Sequence, residues 1–189
     1  MQKLLRITKI PFIMSFTNHL IIKYLILVMI LSLSCNIGTR NIDTGYYLQN
    51  FDDLFYWNHS ALVSSERAHS GSYSTYVDSS VQFSQTFEMN LGYARYHNYK
   101  KFRVKAWCFK ETDDTQAGLT ATVSHGEVTY ATNSSDLAIA LKKSGSWGDC
   151  TFSLELPAEA PNDAIIRIYL WTSNRTKAYM DDVEIIFKK

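Results

Sequence analysis

An antiparallel β-sandwich of the jelly-roll kind is the all-β fold that the sequence predicts for residues 46–189. The first observation is that apolar and polar residues alternate through short segments, which is typical of strands with one buried face. The second is that turn signals such as HSGS, SHGE and KSGSWG separate those segments. The third is the lack of a long segment with helical periodicity after residue 40. Many short strands at regular spacing favour two packed antiparallel sheets.

The predicted strands follow one another along the chain with a turn after each. They are SYSTYV (72–77), VQFSQTFEM (81–89), KFRVKAWCFK (101–110), GLTATVS (118–124), EVTYA (127–131), CTFSLEL (150–156), AIIRIYLW (164–171) and YMDDVEIIF (179–187). The segment 134–143, SSDLAIALKK, could begin a helix at a serine N-cap. Because Leu137, Ile139 and Leu141 alternate, however, a strand is predicted there.

The N-terminal segment 1–35 has the composition of a secretory signal peptide. It contains four basic residues and no acidic residue, and its apolar run YLILVMILSL (24–33) ends just before Cys35. The run is short for a membrane-spanning helix, which needs roughly 20 apolar residues. Either Met1 or Met14 is the start of this signal, and the protein is predicted to be exported.

Cys35 is the predicted site of lipid attachment. The stretch LSLSC resembles a bacterial lipobox, with Ser32 at a position where leucine is usual. The resemblance implies a lipoprotein of the bacterial outer membrane, on its periplasmic or surface side, with residues 36–45 as a tether. The alternative is an ordinary secretory signal cleaved near Ser34.

Charge and cysteine content limit the partners of the remaining chain. Of the 19 basic and 18 acidic residues, residues 36–189 keep all the acids but lack the four signal-peptide bases, so their net charge is −3. A nucleic-acid partner would require a basic face, and none is predicted. Cys108 and Cys150 either form a disulfide or are two buried thiols. We expect a single monomeric domain of ordinary size.

Two predicted strands carry basic and aromatic residues on the face opposite their apolar side. In segment 102–109 these residues alternate along the chain with apolar residues, and segment 164–171 shows the same alternation. Aromatic rings beside hydrogen-bond donors suit a sugar, because pyranose C–H faces stack on rings and hydroxyls bind polar groups. The predicted ligand-binding residues are Arg103, Lys105, Trp107, Arg167, Tyr169 and Trp171. The basic residues would favour an acidic or sulfated glycan.

Two alternatives accompany the glycan-binding interpretation. Loops could cover Trp107 and Trp171 as a second small core, and Trp147, in SGSWGD, is predicted to be a structural plug. The same sheet could also bind a protein partner, as a structural or adhesion domain does. An enzyme is not predicted, because the five histidines are scattered and neither GxSxG nor HExxH occurs.

Asp181 raises a separate question. It continues the period-two series of Val183, Ile185 and Phe187, so its carboxylate is predicted to point inward. A buried carboxylate is costly unless something pairs with it.

Five stretches occur in a particular order: NFDDLFYW (50–57), SERAHSGSYSTYV (65–77), FRVKAWC (102–108), SWGDCTFSLELP (146–157) and YMDDVEI (179–185). Together they resemble carbohydrate-binding modules of the family four/nine type, which have the galactose-binding-like jelly-roll fold. The resemblance covers nearly the whole chain after the tether, and AHSGSYS and YMDDVEI are its most specific parts. It implies non-catalytic binding of an oligo- or polysaccharide without naming the sugar.

The same resemblance implies a structural calcium ion that joins the first and last strands. Carried over by position, its carboxylate ligands would be Asp52, Glu66 and Asp181, with Asp53 as the alternative to Asp52. Calcium takes six to eight oxygens, so carbonyls of the turn 66–73 would complete the set. The alternative is that Asp181 accepts hydrogen bonds from that turn without a metal.

Overall fold

The computed structural model describes residues 45–52 and 62–189, which belong to one compact unit, Asn41–Lys189. The predicted signal peptide with Cys35, the tether except Gly45, and Asp53 lie outside the described residues. None of the helices in the described part of the chain has the length and apolar composition that a membrane span requires.

The described residues form ten strands and two short helices, which confirms the all-β prediction. In order they are β1 Tyr46–Gln49, β2 Val63–Ser64, β3 Ser74–Val77, β4 Phe87–Asn90, α1 Leu91–Tyr96, β5 Lys101–Lys110, β6 Ala117–His125, β7 Val128–Asp136, α2 Leu137–Ala140, β8 Trp147–Glu155, β9 Ile165–Thr172 and β10 Ala178–Lys188.

Two antiparallel sheets make up the sandwich. The six-stranded sheet has the order β2-β3-β10-β5-β8, with β1 paired to β10 beside β3, and the four-stranded sheet has the order β4-β9-β6-β7. The alternating apolar side chains of both sheets are buried between them, as Val104 of β5 and Ile168 of β9 illustrate. At one side Asn133 Nδ2 of β7 donates to Ser153 O of β8 at 2.7 Å, which links the two sheets.

The helices depart from the predicted pattern. In α2 the Asp136 carboxylate accepts a hydrogen bond from Ala138 N at 2.8 Å and caps the helix, while Leu137 is buried. The strand predicted for 134–143 is therefore wrong at 137–140, because a carboxylate cap at the end of β7 turns the chain into a helical turn. Asn90 caps α1 in the same way, by accepting from Gly92 N.

Cys108 and Cys150 are free, buried thiols on neighbouring strands β5 and β8. Their thiols share a hydrogen bond, and this contact together with burial raises the pKa of Cys108. Of the two alternatives, the structure has the pair of buried thiols.

A β-bulge in β10 changes the direction of Asp181. Met180 pairs with Cys108 and Asp181 with Trp107, and the register then shifts before Glu184. Asp182 lies in the bulge with φ 46°. An extra residue reverses the alternation of a strand, so Asp181 shares the outer face with Trp107 although Val183 points into the core. The prediction that Asp181 points between the sheets is therefore wrong, yet its exposure is 0%.

Candidate functional site

The predicted ligand-binding residues divide between the two sheets. Strand β5 belongs to the six-stranded sheet and β9 to the four-stranded sheet. Their apolar sides meet in the core, so their other sides face away from each other. Arg103, Lys105 and Trp107 lie on the outside of the six-stranded sheet, and Arg167, Tyr169 and Trp171 lie on the outside of the four-stranded sheet. We call these the β5 face and the β9 face.

On the β5 face the indole of Trp107 is stacked against the imidazole of His69. The ring centroids are 4.0 Å apart and the planes differ by 11°. Trp147 approaches His69 edge-on at 5.7 Å. The turn 65–73 thus occupies one ring face of Trp107, which is the arrangement of a second small core.

The cations of the β5 face have carboxylate partners. Arg103 Nη2 lies 3.6 Å from Glu184 Oε1, and Lys105 Nζ lies 3.3 Å from Asp149 Oδ1. The positive charge that suggested an acidic glycan is therefore compensated within the protein.

The carboxylate of Asp181 is buried beneath the same turn. One oxygen accepts from His69 N at 2.7 Å and from Ser70 N at 3.1 Å, and the other accepts from Asp182 N at 2.8 Å. Burial raises the pKa of Asp181 to about 6, although these three donors oppose the shift. The neighbouring Asp182 carboxylate binds His69 Nδ1 and Ser70 Oγ, both at 2.6 Å. Two adjacent carboxylates thus attach the turn to β10.

The other two predicted calcium ligands also face protein donors. Asp52 Oδ1 accepts from Ser72 N at 2.7 Å and from Tyr73 N at 3.1 Å. Glu66 binds Lys177 Nζ and accepts from the Tyr179 hydroxyl at 2.7 Å, and these partners lower the pKa of Glu66.

This arrangement does not fit one calcium ion shared by Asp52, Glu66 and Asp181. A calcium ligand set presents oxygens to the ion, whereas N–H groups are directed at Asp52 and Asp181. Residues 45–52 and 62–189 contain no group of three or more His, Cys, Asp or Glu side chains able to hold a metal. Because Asp53 lies outside the described residues, calcium stays a prediction for solution measurements.

Gly71 shows how closely the turn 65–73 approaches the start of the domain. Its φ is +60°, and a Cβ built on it would lie 1.6 Å from Asp52 Oδ2. Only glycine allows both this backbone conformation and this contact. The AHSGSYS motif therefore has a structural role: its hydrogen bonds connect the residues around β1, β3 and β10.

On the β9 face three aromatic side chains form an open strip, which we call the aromatic strip: Phe83, Tyr169 and Trp171. Phe83 is 50% exposed and meets the Tyr169 ring edge-on at 5.5 Å. Its backbone also forms an isolated bridge with Trp171. The indole of Trp171 lies beside Gly118 of β6, where a Cβ would be only 2.9 Å from Trp171 Nε1.

A cavity of about 220 Å³ adjoins Trp171. Its polar groups are short side chains that can donate or accept hydrogen bonds: Gln116, Ser134, Asp136 and Ser173. Nearby, Thr120 pairs with Tyr169 and with Ser134, and its buried hydroxyl has no hydrogen-bond partner among the described residues. An aromatic wall beside a few placed polar groups is the usual composition of a small-ligand site.

Arg167 has a structural role on the β9 face. Its Nε donates to Glu88 Oε1 at 2.8 Å and its Nη1 to Ser124 Oγ at 3.0 Å, so it connects β4, β9 and β6. The guanidinium is therefore engaged, whereas Tyr169 and Trp171 remain half-exposed. Sequence reasoning missed Phe83 and the β6–β7 hydroxyl groups, because only the pairing of strands places them beside Trp171.

Comparison with known proteins relates the fold to solved carbohydrate-binding modules. The C-terminal family 22 carbohydrate-binding module of Clostridium thermocellum Xyn10B is 15% identical, with a TM-score of 0.52 over 77% of this chain and 94% of that chain. The family 35 module of Cellvibrio japonicus Abf62 is 8% identical, with a TM-score of 0.51 over 75% and 92%. No family model matches the sequence, and no curated protein matches it significantly.

These likenesses show a jelly-roll β-sandwich, the class of fold that carbohydrate-binding modules have. At such low identity they show the fold alone. Resemblance to carbohydrate-binding modules is thus supported at the level of structure, while the family four/nine assignment is not confirmed.

Proposed function

We propose that the protein binds an oligo- or polysaccharide without cleaving it, through the aromatic strip on the β9 face. The observation that carries the proposal is the half-exposed Trp171, which lies beside a cavity lined by hydroxyl, amide and carboxylate groups. A pyranose ring would stack on Trp171 and Tyr169, and its hydroxyls would bind Gln116, Ser134 and Asp136. The solved modules of the same fold are carbohydrate-binding modules by name, which supports glycan binding as the function.

The charges of the β9 face favour a neutral sugar at the strip. Arg167, its basic residue, is neutralised by Glu88, and the ionisable group that lines the cavity is the acid Asp136. A sulfate or carboxylate placed there would meet a like charge and, among the residues that line the cavity, no cation. The preference for an acidic glycan expected from Arg103, Lys105 and Arg167 is therefore not proposed for this face.

Binding rather than hydrolysis suits the carboxylates of this face. Glycoside hydrolysis generally requires an acid and a base or nucleophile that both act on the sugar. Glu88 is paired with Arg167, and Asp136 accepts a hydrogen bond from Ala138 N as the cap of α2. Both carboxylates thus have structural roles, one in joining β4 to β9 and the other in capping α2.

A glycan array probed with the purified protein and its Trp171→Ala variant tests the proposal. The variant should lose binding to the glycans that the wild type retains, because the largest stacking surface is removed. Tyr96→Ala is the matched control: Tyr96 is 82% exposed and follows β4 at the end where Asn90 pairs with Ile165, away from Trp171. Binding to no glycan, or equal binding by both variants, would refute the proposal and favour the protein-partner alternative.

We propose in addition that a lipid on Cys35 anchors the exported domain. The support is the LSLSC stretch alone. Metabolic labelling with a radioactive fatty acid in a bacterial host should label the wild type but not Cys35→Ser. Label on both proteins, or on neither, would contradict the anchor.

A further inference from the structure

We propose a second sugar subsite, selective for a negatively charged unit, in the cavity between α2 and the start of β8. The cavity has a volume of about 410 Å³ and is lined by residues 140–143 and 146–149. The expected ligand of this cavity is a sugar acid, such as a hexuronic acid. The inference rests on the proposed function, because this ligand is also a carbohydrate.

Trp147 supplies an apolar wall for this subsite. Its indole is supported from behind by Phe109, at 5.5 Å between centroids, and is held at its side by His69. The ring is half-exposed and lines the cavity, so it is more than the structural plug that its sequence context predicts. At Gly148 a Cβ would lie 2.7 Å from Leu141 Cδ2, so glycine preserves the space beside the indole.

The charge of the cavity is positive and uncompensated. Lys142 and Lys143 line it, are exposed, and have no carboxylate partner in the part of the chain that the structure describes. The acid in the lining, Asp149, is already paired with Lys105 at 3.3 Å. An anion entering the cavity therefore meets free ammonium groups, in contrast to the cavity beside Trp171.

The loop that carries the two lysines is anchored on both sides. Before them Leu141 N donates to Leu137 O at 3.1 Å. After them Ser144 N donates to Asp113 Oδ1 at 3.1 Å, and Gly145 N donates to Lys110 O at 2.9 Å. Anchoring reduces the entropy that the loop loses when a ligand binds.

The two cavities lie at opposite ends of α2. Asp136, the cap, lines the cavity beside Trp171, and Ala140, the last helical residue, lines the cavity beside Trp147. Trp147 pairs with Phe109 on the β5 face, whereas Trp171 lies on the β9 face. The two cavities are therefore separate sites, and each is tested with its own ligand.

The indole N–H signals of the tryptophans provide a direct test by NMR titration, with Trp147 assigned from a Trp147→Phe variant. Three probes are compared at low salt: glucuronate, its uncharged methyl ester, and inorganic sulfate. Glucuronate should shift the Trp147 signal to saturation, and the ester should bind roughly tenfold more weakly, because each exposed ion pair contributes at most about fivefold. Added salt should remove most of the difference.

Variants separate charge at this loop from general charge. Lys142→Ala combined with Lys143→Ala should reduce glucuronate affinity to that of the ester, whereas Lys100→Ala should not. Lys100 precedes β5 at the end opposite Phe109, the residue that pairs with Trp147. The subsite would be overturned by equal affinity for glucuronate and its ester or by a Trp147 signal that does not shift. It would also be overturned if sulfate alone shifted the Trp147 signal as glucuronate does. Failure of the proposed function is distinct, because it appears as the loss of Trp171-dependent binding to neutral glycans.

Discussion

The β5 face and the β9 face begin from the same sequence pattern and end in different environments. Each strand alternates core residues with basic and aromatic residues. On the β5 face the turn 65–73 lies over the strand and stacks His69 on Trp107. On the β9 face Phe83 extends the aromatic surface outward, and small residues of β6 leave Trp171 beside an open cavity.

The difference teaches that an aromatic residue on an outer strand face is a binding candidate only if no loop covers it. The β5 face uses its aromatic and charged groups to fasten the turn that joins both ends of the domain. The β9 face uses its charges, Glu88 and Arg167, to fix the strands, and leaves its rings available. Measurements of stability and of binding in the same variants separate these two roles.

The largest effect on stability is expected from Asp181→Ala. Three backbone N–H groups, of His69, Ser70 and Asp182, would lose their acceptor. Since each buried donor left unsatisfied costs about 1–3 kcal/mol, and water can replace part of that loss, the free energy of unfolding should fall by about 2–4 kcal/mol. Urea denaturation measures it, with Asp163→Ala, an exposed partner of His125, as the control. An unchanged midpoint would show that the turn is fastened by other contacts.

The same carboxylate predicts a pH dependence of stability. Burial raises the pKa of Asp181 to about 6 in the folded protein, compared with about 3.9 in an unfolded chain. Between these values the folded state holds a proton that the unfolded state has lost, so the stability contributed by Asp181 decreases as pH rises from about 4 to about 6. Subtracting the pH profile of Asp181→Asn from that of the wild type isolates this slope. If the stability difference between the wild type and Asp181→Asn does not change with pH, or increases with pH, the raised pKa of Asp181 is contradicted.

On the β9 face Gly118→Ala should weaken binding with little effect on folding. The new methyl group would lie 2.9 Å from Trp171 Nε1, so the indole must shift from the position that stacks on the sugar. We expect affinity for an array-identified glycan to fall about tenfold, as for loss of a moderate hot spot. Gly126→Ala is the matched control, since its Cβ meets open space while its φ is +57°: it should cost about 1 kcal/mol of stability and leave affinity unchanged. If Gly126→Ala lowers the affinity and Gly118→Ala does not, the ligand does not bind at Trp171.

The smallest effect is expected from removal of divalent ions. Because protein N–H groups already satisfy Asp52 and Asp181, the thermal transition should not move when EDTA is added. A ligand that binds only the folded state raises stability. If calcium raises the midpoint of the thermal transition and EDTA reverses that rise, the folded protein binds calcium. Asp53 would then be the first ligand to test by substitution.

Much of the fold could be predicted from the alternation of apolar and polar residues along the chain. The structure differs from the prediction where the backbone changes its register or direction. The strand predicted at 101–110 has the same bounds in the structure, because its alternation is uninterrupted. The bulge at Asp182 could not be predicted, since Asp181 and Val183 keep the period-two spacing while the backbone between them changes register. The α2 turn escaped prediction because its apolar residues also alternate.

The candidate site was only half predictable for a related reason. Face patterns show which residues point away from the core, and they correctly separated Tyr169 and Trp171 from Ile168 and Leu170. They do not show which sheet a strand joins or which loop covers it. The division of the predicted ligand residues into two faces, and the pairing of Arg167 with Glu88, therefore required the strand order.

The most direct test of the account compares Trp171→Ala with Trp107→Ala by isothermal titration calorimetry, using one glycan identified on the array. Trp171→Ala should lower affinity about 30-fold, as expected when a central aromatic contact worth about 2 kcal/mol is lost. Trp107→Ala should reduce stability and leave the affinity of the folded protein within about twofold, because distant sites act independently. If Trp107→Ala abolishes binding while Trp171→Ala does not, the ligand lies on the β5 face and the account is wrong.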